Sequence, residues 1–131
     1  MKRVFCGGTC NGSLWRDDLI KELEIDSFNP VVENWTEECM VEEIKQREEC
    51  DFCLYLITPK MTGVYSIAEV IDDSNKRPEK TIFCFIDIDD GLFFDKYQIE
   101  SLNQVGKMVE LNGGKWFKSM VEVIIYLNSQ K

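Results

Sequence analysis

The chain has 131 residues, of which 44% are hydrophobic and 30% are charged, and its formal net charge is −9. This length and composition are typical of one globular domain and exclude a disordered chain. The acidic balance excludes a nucleic-acid polymer as partner, because binding to a phosphate backbone requires clustered lysine and arginine. No apolar run is long enough to span a membrane or to form a signal peptide, which predicts a cytoplasmic protein.

Strand and helix patterns alternate along the whole chain. Runs of consecutive apolar residues are typical of strands buried on both faces of a parallel sheet, and segments of helical periodicity separate them. This alternation predicts a single-domain, three-layer α/β sandwich, with a parallel, doubly wound sheet of about five strands and helices on both faces. The predicted elements are, in chain order, a strand Arg3–Cys6, a helix capped by Ser13, a strand Ser27–Asn29, a helix capped by Thr36 that ends near Glu49, a strand Phe52–Ile57, a helix that contains Glu69, a strand Thr81–Ile86, a helix within Asp95–Val105, a strand Met108–Leu111 and a helix Trp116–Leu127.

The chain contains six cysteines and no histidine. Cys6, Cys53 and Cys84 lie inside predicted strands, which favours reduced thiols in the core over a disulfide framework. The CxxC pair that begins at Cys50 precedes a strand, whereas a redox motif opens a helix, and no second pair or histidine completes a zinc site. Without histidine, Ser-His and Cys-His nucleophiles are excluded, and catalysis depends on carboxylates, hydroxyls, amides or a thiol.

Loops that follow the carboxyl ends of parallel strands line the ligand-binding crevice of such a sheet. The first loop lacks both the dinucleotide fingerprint and the P-loop spacing, but its glycines permit a close approach of a sugar or phosphate to the backbone. A tight turn with nothing bound is the alternative. Arg16 is an attractive anion partner near the start of the first helix. The candidate binding residues in or beside these loops are Gly7, Gly8, Thr9, Asn11, Ser13, Arg16, Asn29, Gly63, Ser66 and Asn112.

Glu69 has two interpretations. Ser66-Ile67-Ala68-Glu69 fits a capping box, in which Ser66 caps a helix and Glu69 bonds back to the amide of the capping residue. Glu69 also follows a buried strand and its loop, where a helix N-terminus stabilises the ionised carboxylate that a nucleophile needs. The residues alone favour the cap.

Two further side chains are candidates for the same chemistry. Asp87 comes directly after a predicted strand and is a candidate second carboxylate. Tyr65, two residues after Gly63, is a candidate hydrogen-bond donor or stacking partner for a base. Asp89 and Asp90 predict a solvated acidic turn, because Gly91 stands one place too early for a calcium-binding loop and no closing glutamate follows.

The segments Val4–Thr9, Asp51–Pro59 and Gly63–Val70 together resemble the nucleoside 2-deoxyribosyltransferase-like family. The likeness lies in the order of elements up to Gly91 and in the Gly-x-x-x-x-x-Glu segment that ends at Glu69. It implies a flavodoxin-like fold and a glycosyltransferase or hydrolase that acts on the N-glycosidic bond of 2′-deoxynucleosides or their monophosphates.

By this resemblance, Glu69 attacks the anomeric carbon, a deoxyribosyl-enzyme forms, and another base or water completes the reaction without metal or organic cofactor. The resemblance also implies a homo-oligomer that shares its active sites, for which Asn112 is the candidate contributing residue. The family carries an aspartate in the loop before the glutamate, but this chain has no carboxylate between Pro59 and Ser66. Asp87 and Tyr65 are therefore the candidate proton donors.

The alternatives are a nucleotide-binding or sensor module without catalysis, in which Glu69 is only a cap, and a glycohydrolase that cleaves NAD or another ribonucleotide by the same carboxylate chemistry.

Overall fold

A computed structural model describes all residues from 1 to 131. Its central sheet has five strands, all parallel, in the order β2-β1-β3-β4-β7. This is the strand order of flavodoxin-like doubly wound folds, and it confirms the predicted architecture. A separate antiparallel hairpin, β5-β6, follows the fourth strand. The strands are β1 (Arg3–Gly8), β2 (Asp26–Phe28), β3 (Phe52–Ile57), β4 (Thr81–Phe85), β5 (Ile88–Asp89), β6 (Leu92–Phe93) and β7 (Lys115–Phe117).

Helices cover both faces of the sheet and enclose two hydrophobic clusters. One cluster includes Leu19 and Leu127 and lies under the first and last helices, and the other includes Val70 and Val109 and lies under the third and fourth. The second helix contributes no hydrophobic side chain to either cluster. The helices are α1 (Trp15–Ile20), α2 (Glu37–Glu49), α3 (Tyr65–Lys76), α4 (Lys96–Leu111) and α5 (Met120–Ser129), with a short 3₁₀ turn at Pro78–Lys80.

The central strands have the sequence character that their position requires. Every residue of β3, Phe-Cys-Leu-Tyr-Leu-Ile, is buried. This strand lies between β1 and β4 in the middle of the sheet. Because helices cover both faces of the sheet, its side chains are buried whichever face they point to. The thiols of Cys6, Cys53 and Cys84 are buried there, and burial raises the pKa of each to about 12. These cysteines are core residues, as the sequence predicts.

In the last third of the chain, the structure differs from the predicted secondary structure. The segment Met108–Leu111 is not a strand but the end of α4, and the last strand is Lys115–Phe117, after the glycine pair that begins at Gly113. Met108 and Leu111 are exposed, so their apolar run does not reflect a buried strand. No helix in the chain combines the length and the apolarity that crossing a membrane requires.

Candidate functional site

A cleft of about 310 Å³ opens at the carboxyl edge of the sheet. The chain forms β2 on one side of β1 and then returns to form β3 on the other side, so the strand order reverses between β1 and β3. This reversal is the topological switch point at which ligands bind in open α/β sheets. The cleft is lined by Gly7, Gly8, Thr9, Cys10, Asn11, Arg16, Pro30, Val31, Val32, Trp35, Glu43, Met61, Gly63, Tyr65, Ser66 and Glu69.

The two glycines that end β1 have a packing role. A Cβ atom on Gly7 would lie 2.7 Å from the ring of Tyr55, and one on Gly8 would lie 2.1 Å from the carbonyl oxygen of Leu56. Gly8 also has a φ of +119°, which side-chain-bearing residues rarely adopt. Both glycines line the cleft, and their close contact with β3 explains why no side chain stands there.

Arg16 is buried in the wall of the cleft, with only 4% of its surface exposed. Its guanidinium donates to the carbonyl oxygens of Cys6 (2.8 Å), Gly8 (3.0 Å) and Thr9 (2.6 Å), and it forms no ion pair with a carboxylate. Burial lowers its pKa from the ordinary value. Because no carboxylate pairs with this guanidinium, Arg16 is a local positive charge in the cleft wall that favours an anionic group of a ligand.

The structure corrects the capping-box prediction for Glu69. Helix α3 begins at Tyr65 with Val64 as its N-cap, and no side chain caps it. Ser66 is therefore the second residue of the helix and Glu69 the fifth, so Glu69 lies beyond the first turn and makes no capping bond. Its side chain instead turns into the cleft, where it is only 12% exposed. The interpretation of Glu69 as a helix-capping residue, which the sequence alone favours, is therefore wrong.

The surroundings of Glu69 are both desolvated and charged. Burial, together with the negative charges of Glu43 and Asp73, raises its pKa from 4.5 to about 7, although Arg47 acts in the opposite direction. The Arg47 guanidinium lies 3.6 Å from the Glu69 carboxylate. Glu69 is thus a carboxylate whose charge changes near neutral pH, a property that is enriched at catalytic sites.

A buried charged cluster around Asp73 holds Arg47 next to Glu69. Arg47 donates to Asp73 at 2.9 Å and 3.2 Å, and the phenol of Tyr55 donates to the same carboxylate at 2.5 Å. Arg77 also pairs with Asp73. Hydrogen bonding to Asp73 raises the pKa of Arg47 despite its burial, so the guanidinium stays charged. The cluster joins α2, β3 and α3 and fixes the position of Arg47 beside Glu69.

The first loop is tied to the loop after β3. The Thr9 hydroxyl accepts from the amide of Thr58 at 2.9 Å, and the side-chain amide of Asn11 donates to the carbonyl of Lys60 and to the hydroxyl of Thr62, each at 2.8 Å. Thr9 and Asn11 therefore hold the two loops of the switch point together.

Four predicted site residues lie outside the cleft. Asp87 is exposed. The nearby Asp89 is not the solvated turn residue that the sequence predicts, because its carboxylate accepts hydrogen bonds from the hydroxyls of Ser13 at 2.5 Å and Thr58 at 2.6 Å. Ser13 thus bonds to Asp89, and Leu14 occupies the N-cap of α1 without a side-chain bond. Asn29 is exposed and its side chain accepts from the amide of Val31.

Asn112 does not line the cleft of its own chain, for a topological reason. It follows α4 and precedes β7, so it lies at the amino edge of the sheet, opposite the cleft. Its side chain donates to the hydroxyl of Ser74 at 3.0 Å within the same chain. The incorrect placement of the last strand before Asn112, rather than after it, produced this prediction.

The cleft also contains residues that the sequence did not single out, above all Glu43 and Trp35. The indole of Trp35 donates to Glu43 at 3.2 Å, and Trp35 is 57% exposed. Glu43 lies in a helix rich in charged residues, between Glu42 and Ile44, and its sequence context is typical of a solvated helix surface. The available signal was its spacing of four residues from Arg47, which places the two side chains on one helix face.

The fold and the cleft define a doubly wound α/β protein with a charged cleft at its switch point. The structure has no group of three or more potential metal-ligating side chains from histidine, cysteine, aspartate and glutamate. Comparisons with family models, curated proteins and solved structures find no match to this chain.

Proposed function

We propose that this protein cleaves or transfers the N-glycosidic bond of a 2′-deoxynucleoside or deoxynucleoside monophosphate, with Glu69 as nucleophile. The observation that carries the proposal is the position of Glu69, a buried carboxylate that serves no cap and shares its cleft with the Arg16 guanidinium. The preference for deoxyribose comes from the sequence resemblance alone.

The proposed reaction has two steps. An oxygen of the Glu69 carboxylate attacks the anomeric carbon, the carbon–nitrogen bond breaks, and its electron pair passes to the departing base. A second base or water then attacks the same carbon, and the carboxylate leaves as an anion. Arg47 supports the first step because its charge favours the ionised form of Glu69.

The cleft is suited to a ligand of nucleotide size with an anionic end. Its volume of about 310 Å³ lies at the lower end of the range for small-molecule sites. Arg16 is the proposed contact for a 5′-phosphate or for sugar hydroxyls. The connection from Pro30 to Trp35 lines the cleft with Pro30, Val31, Val32 and Trp35, and these apolar side chains are the proposed contact for the base.

Base release from deoxynucleosides and their 5′-monophosphates, measured by chromatography, tests the proposal. We expect release by the wild type and at least a ~10³-fold loss in Glu69→Gln, since the amide is not a nucleophile. Glu100→Gln, an exposed carboxylate on α4, is the matched control and should keep full activity. A 2-fluoro-arabinosyl nucleoside should leave a sugar on Glu69, detected by mass spectrometry. Wild type that releases no base and forms no adduct contradicts the proposal.

A binding module without turnover is the second candidate. It is favoured by one observation: the loop that should supply the family's proton-donating aspartate has no carboxylate, and Asp87 is exposed outside the cleft. Tight calorimetric binding of a deoxynucleotide without base release supports this candidate. Release from ribonucleotides or NAD in preference to 2′-deoxy substrates supports the glycohydrolase alternative.

A homo-oligomer and a cytoplasmic location complete the proposal. The oligomer is supported by apolar side chains that α2 leaves exposed, namely Met40, Val41 and Ile44. The location is supported by six free thiols, which are typical of reducing compartments.

A further inference from the structure

The chain contains two Asn-Gly pairs, Asn11-Gly12 and Asn112-Gly113, and the structure places them in different surroundings. An asparagine before a glycine is prone to lose its side-chain amide, because the glycine nitrogen attacks the carboxamide carbon without obstruction by a side chain. This attack requires a backbone amide that is free and open to water. The hydrogen bonding of each glycine amide therefore decides which pair reacts.

The amide of Gly12 is free. It takes part in no hydrogen bond, and a Cβ atom on Gly12 would meet no atom within 4 Å. Asn11 has a φ of +46° and Gly12 one of +75°, and both residues are exposed, so the pair forms a tight turn on the surface. Water has access to the Gly12 nitrogen and to the side chain beside it.

The amide of Gly113 is bound. It donates to the carbonyl oxygen of Glu110 at 3.0 Å, at the end of α4, and Asn112 is half-buried. Both asparagine side chains are held by hydrogen bonds of their own, so these bonds do not distinguish the two pairs. The difference lies in the amide of the following glycine, which is available in Gly12 alone.

We propose that Asn11 is a site of spontaneous deamidation, and that its product loosens the contact between the two loops at the cleft. In the first step the Gly12 nitrogen bonds to the carboxamide carbon of Asn11, the bond from that carbon to Nδ2 breaks, and the Gly12 amide proton leaves with Nδ2 as ammonia. Water then opens the cyclic imide at either of its carbonyls, which leaves an aspartate or an isoaspartate in place of the asparagine. Water is the only co-reactant.

The product weakens the contact because it replaces a hydrogen-bond donor with an acceptor. In the structure, Asn11 Nδ2 donates to the carbonyl oxygen of Lys60 and to the hydroxyl of Thr62, each at 2.8 Å. An ionised carboxylate has no hydrogen to donate, so it repels the carbonyl oxygen. The loop after β1 then loses one of its bonds to the loop after β3, and both loops line the cleft.

Incubation of the folded protein at mildly alkaline pH, followed by peptide mass spectrometry, tests the site. We expect Asn11 to convert at least ~10-fold faster than Asn112, because the native hydrogen bond protects the Gly113 amide. The same incubation in urea is the matched control, since unfolding removes this bond and the two pairs should then convert at similar rates. Gly12→Ala should slow the conversion of Asn11 at least ~5-fold and leave that of Asn112 unchanged. Equal rates in the folded protein, or faster conversion of Asn112, would overturn the assignment.

The variant Asn11→Asp tests the effect on the loops, and Asn112→Asp is its control. We expect the backbone amides of Thr9 and Thr58, which lie where the two loops meet, to exchange with deuterium at least ~10-fold faster in Asn11→Asp than in the wild type. Asn112→Asp should leave both amides unchanged. Unchanged exchange in Asn11→Asp would contradict the loosening. Neither experiment measures base release, so both are independent of the function proposed above.

Discussion

The ionised carboxylate of Glu69 lowers the stability of the folded protein, although its position in the cleft is suited to catalysis. Its carboxylate is buried against Arg47 and also faces the negative charges of Glu43, Asp72 and Asp73. Folding raises its pKa from 4.5 to about 7, so the folded state binds this proton more tightly than the unfolded chain does. The stability that the carboxyl contributes is therefore present below pH 4.5 and is lost as the pH rises through 7.

Because folding raises the pKa of Glu69, we predict that Glu69→Gln is more stable than the wild type at pH 8, by about 1–3 kcal/mol. The amide avoids the burial of a charge. At pH 4.5 both side chains are largely neutral and the difference should disappear. Urea unfolding at the two pH values measures it. A variant that is less stable than the wild type at pH 8 would show that the Arg47 contact outweighs the desolvation of Glu69.

Arg47 is predicted to be essential for the buried cluster. Arg47→Gln removes a charge that contacts Asp72, Asp73 and Glu69, and we expect a loss of about 3 kcal/mol in the free energy of unfolding. Lys45→Gln, an exposed change on the same helix, is the control and should stay within about 0.5 kcal/mol of the wild type. Chemical denaturation at neutral pH compares the two. Equal stability of the two variants would mean that Arg77 alone satisfies Asp73.

At the scale of elements, the pairing of β1 with β3 depends on a glycine. Gly8→Ala places a Cβ atom 2.1 Å from the carbonyl of Leu56, and we expect a loss of at least ~3 kcal/mol because the strand backbones must separate. Gly12→Ala also has a positive φ, of +75°, but meets no atom within 4 Å, and should cost only about 1 kcal/mol. Thermal unfolding of both variants isolates the clash from the backbone strain. Similar losses in the two variants would contradict the role of this close contact.

The sequence predicts those elements whose burial leaves a pattern. Strands β1, β3 and β4 were predictable because consecutive apolar residues are required where both faces of a sheet are covered. Strand β7 has three residues, too few to show a period, whereas the end of α4 has the apolar residues that are typical of a short strand. The start of α3 differs from the prediction because a capping box is a local signal, whereas the helix begins at Tyr65 after Val64, which provides no side-chain cap.

The candidate site was predictable to the extent that it belongs to loops. The loops after β1 and β3 do meet, and Arg16 and Glu69 do line their cleft. Glu43 and Arg47 escaped prediction because they come from the middle of a helix, and only the docking of α2 against α3 brings them to Glu69. Such contacts between distant segments leave no periodic trace in the sequence.

At the scale of the whole molecule, the exposed apolar residues of α2 bear on assembly. If the proposed homo-oligomer uses this helix, Val41→Glu should convert it to a monomer, since a charge would be buried at the interface. Val121→Glu, at a similarly exposed position on α5, is the matched control and should leave the assembly intact. Sedimentation of the wild type and both variants measures their masses. A monomeric wild type would contradict the homo-oligomer.

Helix α2 is attached to the molecule in an unusual way, because its buried residues are Gln46 and Arg47 rather than members of a hydrophobic cluster. An element held by polar bonds separates from its neighbours at a lower free energy than one held by apolar burial. We therefore expect the backbone amides of α2 to exchange with solvent deuterium sooner than those of α3. Because α2 carries Glu43 and adjoins the Pro30–Trp35 connection, we expect such local openings to widen the cleft.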